Sequence, residues 1–133
     1  MVATSRPDPR DVDRFREKLD RELKAGVVTM LLLLAIDRAG PDYGYRILKN
    51  IDEWSSGALS FREGTAYPLL QNLEKSGLVT SFWGDGAAGP PRKYYQTTAL
   101  GREALKVALD DWESLTGSVD NILAKAPKGG KKA

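Results

Sequence analysis

Residues 63–97 read EGTAYPLLQNLEKSGLVTSFWGDGAAGPPRKYYQT, and the change of period inside this stretch decides the fold. Ala66, Leu69, Leu70 and Leu73 recur at i, i+3, i+4 and i+7, the spacing of one buried helix face, and Gly77 supplies the stop. Pro68 falls in or just beyond the first turn, where a missing N–H costs little. The pattern then alternates. Leu78 to Trp83 reads as a strand, Gly84 to Pro91 as a hairpin tip, and Arg92 to Thr97 as the returning strand. Gly84, Gly86 and Gly89 are turn glycines and not a phosphate loop, because no lysine-serine pair and no helix follow them.

Working outward, Tyr45, Ile47, Leu48, Ile51 and Trp54 form the stripe of a preceding helix that ends at Ser55-Ser56-Gly57. Before a turn at Pro41-Asp42, the apolar segment Val27 to Ala39 reads as a buried helix stopped by Gly40-Pro41. A strand over Val27 to Leu34 is the alternative, and leucine content and length favour the helix. Val12, Phe15, Leu19 and Leu23 give a thinner stripe over Asp11 to Lys24, with Asp11 as the expected cap. Beyond the hairpin, Thr98 caps a long helix whose stripe runs Leu100, Ala104, Ala108, Trp112, Leu115, Val119 and Ile122. That stripe is longer than the small domain before it can cover.

The expected class is therefore mainly α with a small two-stranded β wing: a winged helix-turn-helix domain plus a long C-terminal dimerisation helix. Residues 1–10 are read as a disordered N-terminus, 11–98 as the N-terminal helix and winged domain, 99–126 as the C-terminal helix, and 127–133 as a disordered basic tail.

Composition removes several function classes. The 133 residues include no cysteine and no histidine, so disulfides, His-base chemistry and Cys nucleophiles are excluded, and zinc or copper lose their usual ligands. Asp37, Asp42, Asp52 and Glu53 have no nucleophile partner at hand, and the chain reads as no enzyme, with no cofactor. Twenty basic against 18 acidic residues leave a net charge of only +2, so a nucleic-acid surface has to come from local clustering. The longest apolar run, Met30 to Ile36, is far short of the roughly 20 residues of a membrane span. No signal peptide is visible. The chain reads as soluble and cytoplasmic, with no membrane partner.

In a winged helix-turn-helix the third helix of the unit enters the major groove and the wing reaches the flanking backbone. With Ala66, Leu69, Leu70 and Leu73 turned inward, the candidate DNA-binding residues on the helix are Thr65, Tyr67, Gln71 and Lys75, with Pro68 and Asn72 beside them. Arg92 and Lys93 on the wing are candidates for phosphate. Tyr94 and Tyr95 alternate on a strand, so one of them faces inward, and Trp54 and Trp83 read as packing residues. Leu115, Val119 and Ile122 have nothing left to cover within one protomer and are the candidate dimer interface. Asp110, Asp111, Glu113 and Asp120 turn that helix away from DNA.

The residues also carry a resemblance. Gly64-Thr65-Ala66-Tyr67-Pro68-Leu69-Leu70 followed by Leu73-Glu74-Lys75-Ser76-Gly77-Leu78 resembles the signature of the PadR family of transcriptional regulators. Lys24-Ala25-Gly26, Tyr43-Gly44-Tyr45, and Arg92-Lys93-Tyr94-Tyr95 with Thr97-Thr98 and Gly101 are similar to three further segments of that family, in order, over Lys24 to Lys125. The resemblance implies a homodimer joined by its C-terminal helices, binding a double-stranded operator as a repressor that a small molecule releases. It also implies a possible effector site at Trp112, since one branch of the family stacks planar drugs between tryptophans at this stage of the helix. Asp111 beside it would favour a planar aromatic or cationic ligand.

The sequence departs from the family at Glu63, where proline is common, at Tyr43, where histidine is frequent, and at Ala66, where leucine is usual. Glu63 either complements the helix dipole or tunes operator choice by repelling phosphate. The alternative function left open is a winged-helix protein–protein interaction module without DNA binding.

Overall fold

A computed structural model describes residues 6, 8–85 and 89–129. Of the segments expected to be disordered or to form the wing tip, residues 1–5, 7, 86–88 and 130–133 lie outside the described residues.

The chain runs α1 (Pro9–Ala25), α2 (Val28–Ala39), β1 (Asp42–Tyr43), α3 (Gly44–Trp54), α4 (Glu63–Lys75), β2 (Val79–Gly84), β3 (Arg92–Thr97) and α5 (Ala99–Lys125). Helix α1 starts before Asp11. Asp8 is its cap, accepting the Arg10 N–H at 2.9 Å, and Pro9 occupies the first turn, so Pro9 and Arg10 are helical. None of its residues is buried, and Val12, Phe15, Leu19 and Leu23 lie exposed along it.

Helix α2 is the centre of the domain, touching α3, α4, α5 and β3. Leu32 and Ile36 are fully buried there with Ile47 of α3, Leu70 of α4 and Val79 of β2. Val28–Ala39 is helical throughout, so the strand alternative is excluded, and Gly40 ends the helix at a φ of 84° that other residues rarely adopt.

The wing is the expected pair of strands, β2 and β3, and a third, unexpected strand joins its sheet. The residues read as a turn after Pro41 instead form β1, and the antiparallel sheet has the order β1-β3-β2, with Tyr43 opposite Tyr94 and Ser81 opposite Tyr95. A two-residue strand shows no alternation for a pattern search to find. Tyr95 is the inward member of the tyrosine pair and packs into the core. Trp54 and Trp83, expected to pack, are both exposed. Trp54 is the last residue of α3, past Ile51, the last buried residue of that helix, and Trp83 is near the tip of the wing, beyond the part of the sheet that packs on the core.

Helix α4 buries Ala66, Leu70 and Leu73 and closes on a Schellman turn: Leu78 N–H donates to the Leu73 carbonyl at 3.0 Å and Gly77 N–H to that of Glu74 at 3.0 Å. Pro68 lies in its second turn and has no N–H to offer the exposed Gly64 carbonyl four residues before it. Thr98 then joins this turn to α5. Its hydroxyl donates to the Gly77 carbonyl at 2.7 Å and accepts the Gly101 N–H at 2.9 Å.

The face of α5 on the domain is set by Gly101 and Leu105, with Ala104, Ala108 and Leu109 half-buried beside them, whereas Leu100, the expected start of the stripe, is exposed. From Asp110 to Lys125 every residue but Thr116 is exposed, so about 24 Å of helix extends past the core. Among the described residues no helix is long and apolar enough to cross a membrane.

Candidate nucleic-acid interface

Glu63, Tyr67 and Gln71 follow one another at intervals of four residues, so they form a single row along the wing-facing edge of α4. Arg92, Lys93 and Tyr95 of β3 and Trp83 of β2 face that row, and Tyr43 and Tyr45 close the end at the start of α3. Together they line an open cleft of about 630 Å³.

Tyr67 is held from two sides. Its ring lies over Gly44, where an added Cβ would stand 2.4 Å from Tyr67 Cε1, so this first residue of α3 has room only for glycine while the ring stays in place. Its hydroxyl donates to Glu63 Oε1 at 2.5 Å. That hydrogen bond, helped by partial burial and the carboxylate charge, pushes the Tyr67 phenol up to about 12 from its usual 10.0.

The two wing cations differ in their surroundings. The Arg92 guanidinium sits 4.3 Å over the Tyr43 ring and is otherwise exposed. Tyr43 in turn meets Tyr94 edge-on at 5.5 Å, and Tyr94 stacks on Phe82 at 5.6 Å, which stiffens the outer face of the sheet. Gly84 leaves the space for this stack, since a Cβ there would lie 2.4 Å from Tyr94 Cε1. Lys93 instead pairs with Glu74 at 3.1 Å. Glu74 also accepts the Ser81 hydroxyl, and that hydrogen bond, followed by the one from Lys93, holds its carboxyl below the usual carboxylate range.

The cleft thus brings together four of the six residues expected to bind DNA: Tyr67, Gln71, Arg92 and Lys93. Thr65 lies on the opposite flank of α4, over a second cleft that it shares with Lys24 and Phe61, and Lys75 is exposed in the last turn. Leu115, Val119 and Ile122 are exposed on the projecting part of α5, and Trp112 is 42% exposed at its base. Glu63, Tyr45 and Trp83 were not among the expected contacts. The Glu63–Tyr67 spacing of four was a usable signal for their contact, whereas Tyr45 and Trp83 join the cleft only through sheet and helix packing. Among the described residues no group of acidic, histidine or cysteine side chains could hold a metal ion.

The chain matches the transcriptional regulator PadR-like family over residues 31–107. It is similar to the crystal structure of a PadR family transcriptional regulator from Eggerthella lenta, with 31% identity, a TM-score of 0.77, and coverage of 87% of this chain and 98% of that one. It is also similar to a transcriptional regulator from Clostridium thermocellum, with 33% identity, a TM-score of 0.67, and coverage of 78% and 96%. An uncharacterised protein from Lysinibacillus sphaericus is 31% identical over 93 residues, 70% of this chain and 82% of that protein.

Proposed function

This chain belongs to the PadR-like family of transcriptional regulators, and from that premise we propose that it binds operator DNA sequence-specifically as a cytoplasmic homodimer. The observation that carries the reading is the convergence of Tyr67 and Gln71 of α4 with Arg92 and Lys93 of the wing on one open cleft. Hydrogen-bonding side chains on a helix can read base edges; the exposed Arg92 neutralises phosphate, and Lys93, paired with Glu74, holds the wing beside the helix. Thr65 and Lys75 then contact the strands on either side of the helix.

The dimer rests on α5. Leu115, Val119 and Ile122, left wet in one chain, each gain about 1.5–3 kcal/mol on burial against a partner, and the exposed stripe of α1 supplies a second surface. Regulation takes the form of repression released by a planar aromatic or cationic small molecule. Trp112, at the base of the projecting helix and next to Asp111, is the proposed effector contact.

The experiment is selection of bound fragments from sheared genomic DNA by the purified full chain, with light scattering on the same sample. The reading predicts a dimer and a few fragments sharing a two-fold symmetric motif. Absence of any enriched fragment would replace it with the protein-interaction reading, and Val119→Asp is expected to yield monomers that lose the DNA.

A further inference from the structure

The cleft holds a carboxylate where a surface built only for phosphate would exclude one. Glu63 is exposed at the first position of α4, and among the described residues it makes no ion pair. The two cations that line the cleft are engaged elsewhere, Lys93 with Glu74 and Arg92 over Tyr43. A negative charge in this place opposes binding to any phosphate backbone, so its contribution lies in discrimination.

The Tyr67 hydroxyl donates its one hydrogen bond to Glu63 Oε1. With the phenol pushed up to about 12, that proton stays in place at neutral pH. What the pair offers outward is therefore acceptors only: the second carboxylate oxygen, the spare lone pairs of the first, and the phenol oxygen. In the major groove guanine shows acceptors at N7 and O6 and thymine an acceptor at O4, which an acceptor-only surface repels. Adenine shows a donor beside an acceptor, and cytosine shows a lone amino donor. Gln71, two turns further along the row, carries both a donor and an acceptor and suits a base pair further along the groove.

We propose that Glu63, fixed by Tyr67, is a specificity-determining residue that accepts a hydrogen bond from the amino group of one cytosine in each half-site. The proposal rests on the DNA-binding reading above. It assigns to Glu63 the rejection of guanine and thymine at that position as much as the acceptance of cytosine, because an unpaired carboxylate against a carbonyl acceptor is costly.

The test is selection from a random duplex library by the full chain and by two variants, followed by affinities for the selected duplex with each base at the position concerned. The wild type is expected to fix a C·G pair at one position per half-site and to prefer it about tenfold over the other bases. Glu63→Gln, an exposed change that leaves the core alone, should lose that preference, turn toward adenine, and bind mixed-sequence DNA more tightly than the wild type. Tyr67→Phe should weaken the cytosine preference without changing its identity. A Glu63→Gln motif identical to the wild-type motif overturns the assignment while leaving DNA binding intact. Full wild-type preference in Tyr67→Phe overturns the paired arrangement. A wild-type chain that enriches no duplex overturns the DNA-binding reading itself, and this proposal with it.

Discussion

Lys93 Nζ lies 3.1 Å from Glu74 Oε1, so the second long strand of the wing is tied to the last turn of α4. Both side chains are about one-third exposed (34% each), where ion pairs add little to stability, and the tie acts on the position of the wing more than on melting. Glu74→Gln is expected to shift Tm by no more than about 4 °C and to free Lys93 for phosphate. The salt dependence of DNA binding then steepens by about one unit. Because the Glu74 carboxyl is held below its usual 4.5, its contribution is complete above that pH and is lost as pH falls through the depressed value. Melting curves across the acid range check the sign: any difference between wild type and variant should vanish at the acid end.

The contact between Gly44 and the Tyr67 ring makes a second prediction. In Gly44→Ala the new methyl meets a half-exposed ring that can swing aside, so the protein stays folded but the Tyr67–Glu63 hydrogen bond breaks. The Tyr67 phenol should fall from about 12 toward 10.0, read as one tyrosine moving in an alkaline absorbance titration against a Tyr67→Phe control. The sign follows from the raised value: the bond stabilises the wild type fully below pH 10.0, and this is lost as pH rises through about 12. An unchanged titration would mean that Gly44 does not position the ring.

Most of the helical frame was legible because each element carries its own punctuation. Gly40 and Gly77 stop α2 and α4 where the apolar period ends, and Thr98 caps α5. What stayed hidden were relationships across the chain. Strand β1 is two residues long and exists only as a partner of β3, so nothing local marks it. The pairing of Lys93 with Glu74 spans the whole hairpin, and in the sequence Lys93 reads as a free cation equivalent to Arg92. The start of the α5 stripe was misplaced by one residue for a similar reason. Gly101, with no side chain, is what the helix buries against the Leu78 carbonyl, and hydrophobic periodicity gives glycine no weight.

That close approach yields a third prediction. A Cβ at Gly101 would stand 2.0 Å from the Leu78 carbonyl oxygen and 2.8 Å from Thr97 Cγ2. Unlike the ring over Gly44, the first obstacle is backbone, held by the Thr98 N–H that donates to the same carbonyl at 3.1 Å. Gly101→Ala is therefore expected to cost about 3 kcal/mol, the upper end of usual overpacking. Urea denaturation measures it. Gly117→Ala, which has open space on the same helix, should be neutral or slightly stabilising by comparison.

The central claim is that the cleft between α4 and the wing is the DNA-binding surface, and the salt dependence of duplex binding by the full chain tests it most directly. The account predicts that log Kobs falls linearly with log salt concentration, and that Arg92→Ala, which removes the exposed guanidinium over Tyr43, flattens the slope by about 0.9. A wild-type chain with no duplex affinity, or an Arg92→Ala slope equal to that of the wild type, would contradict it.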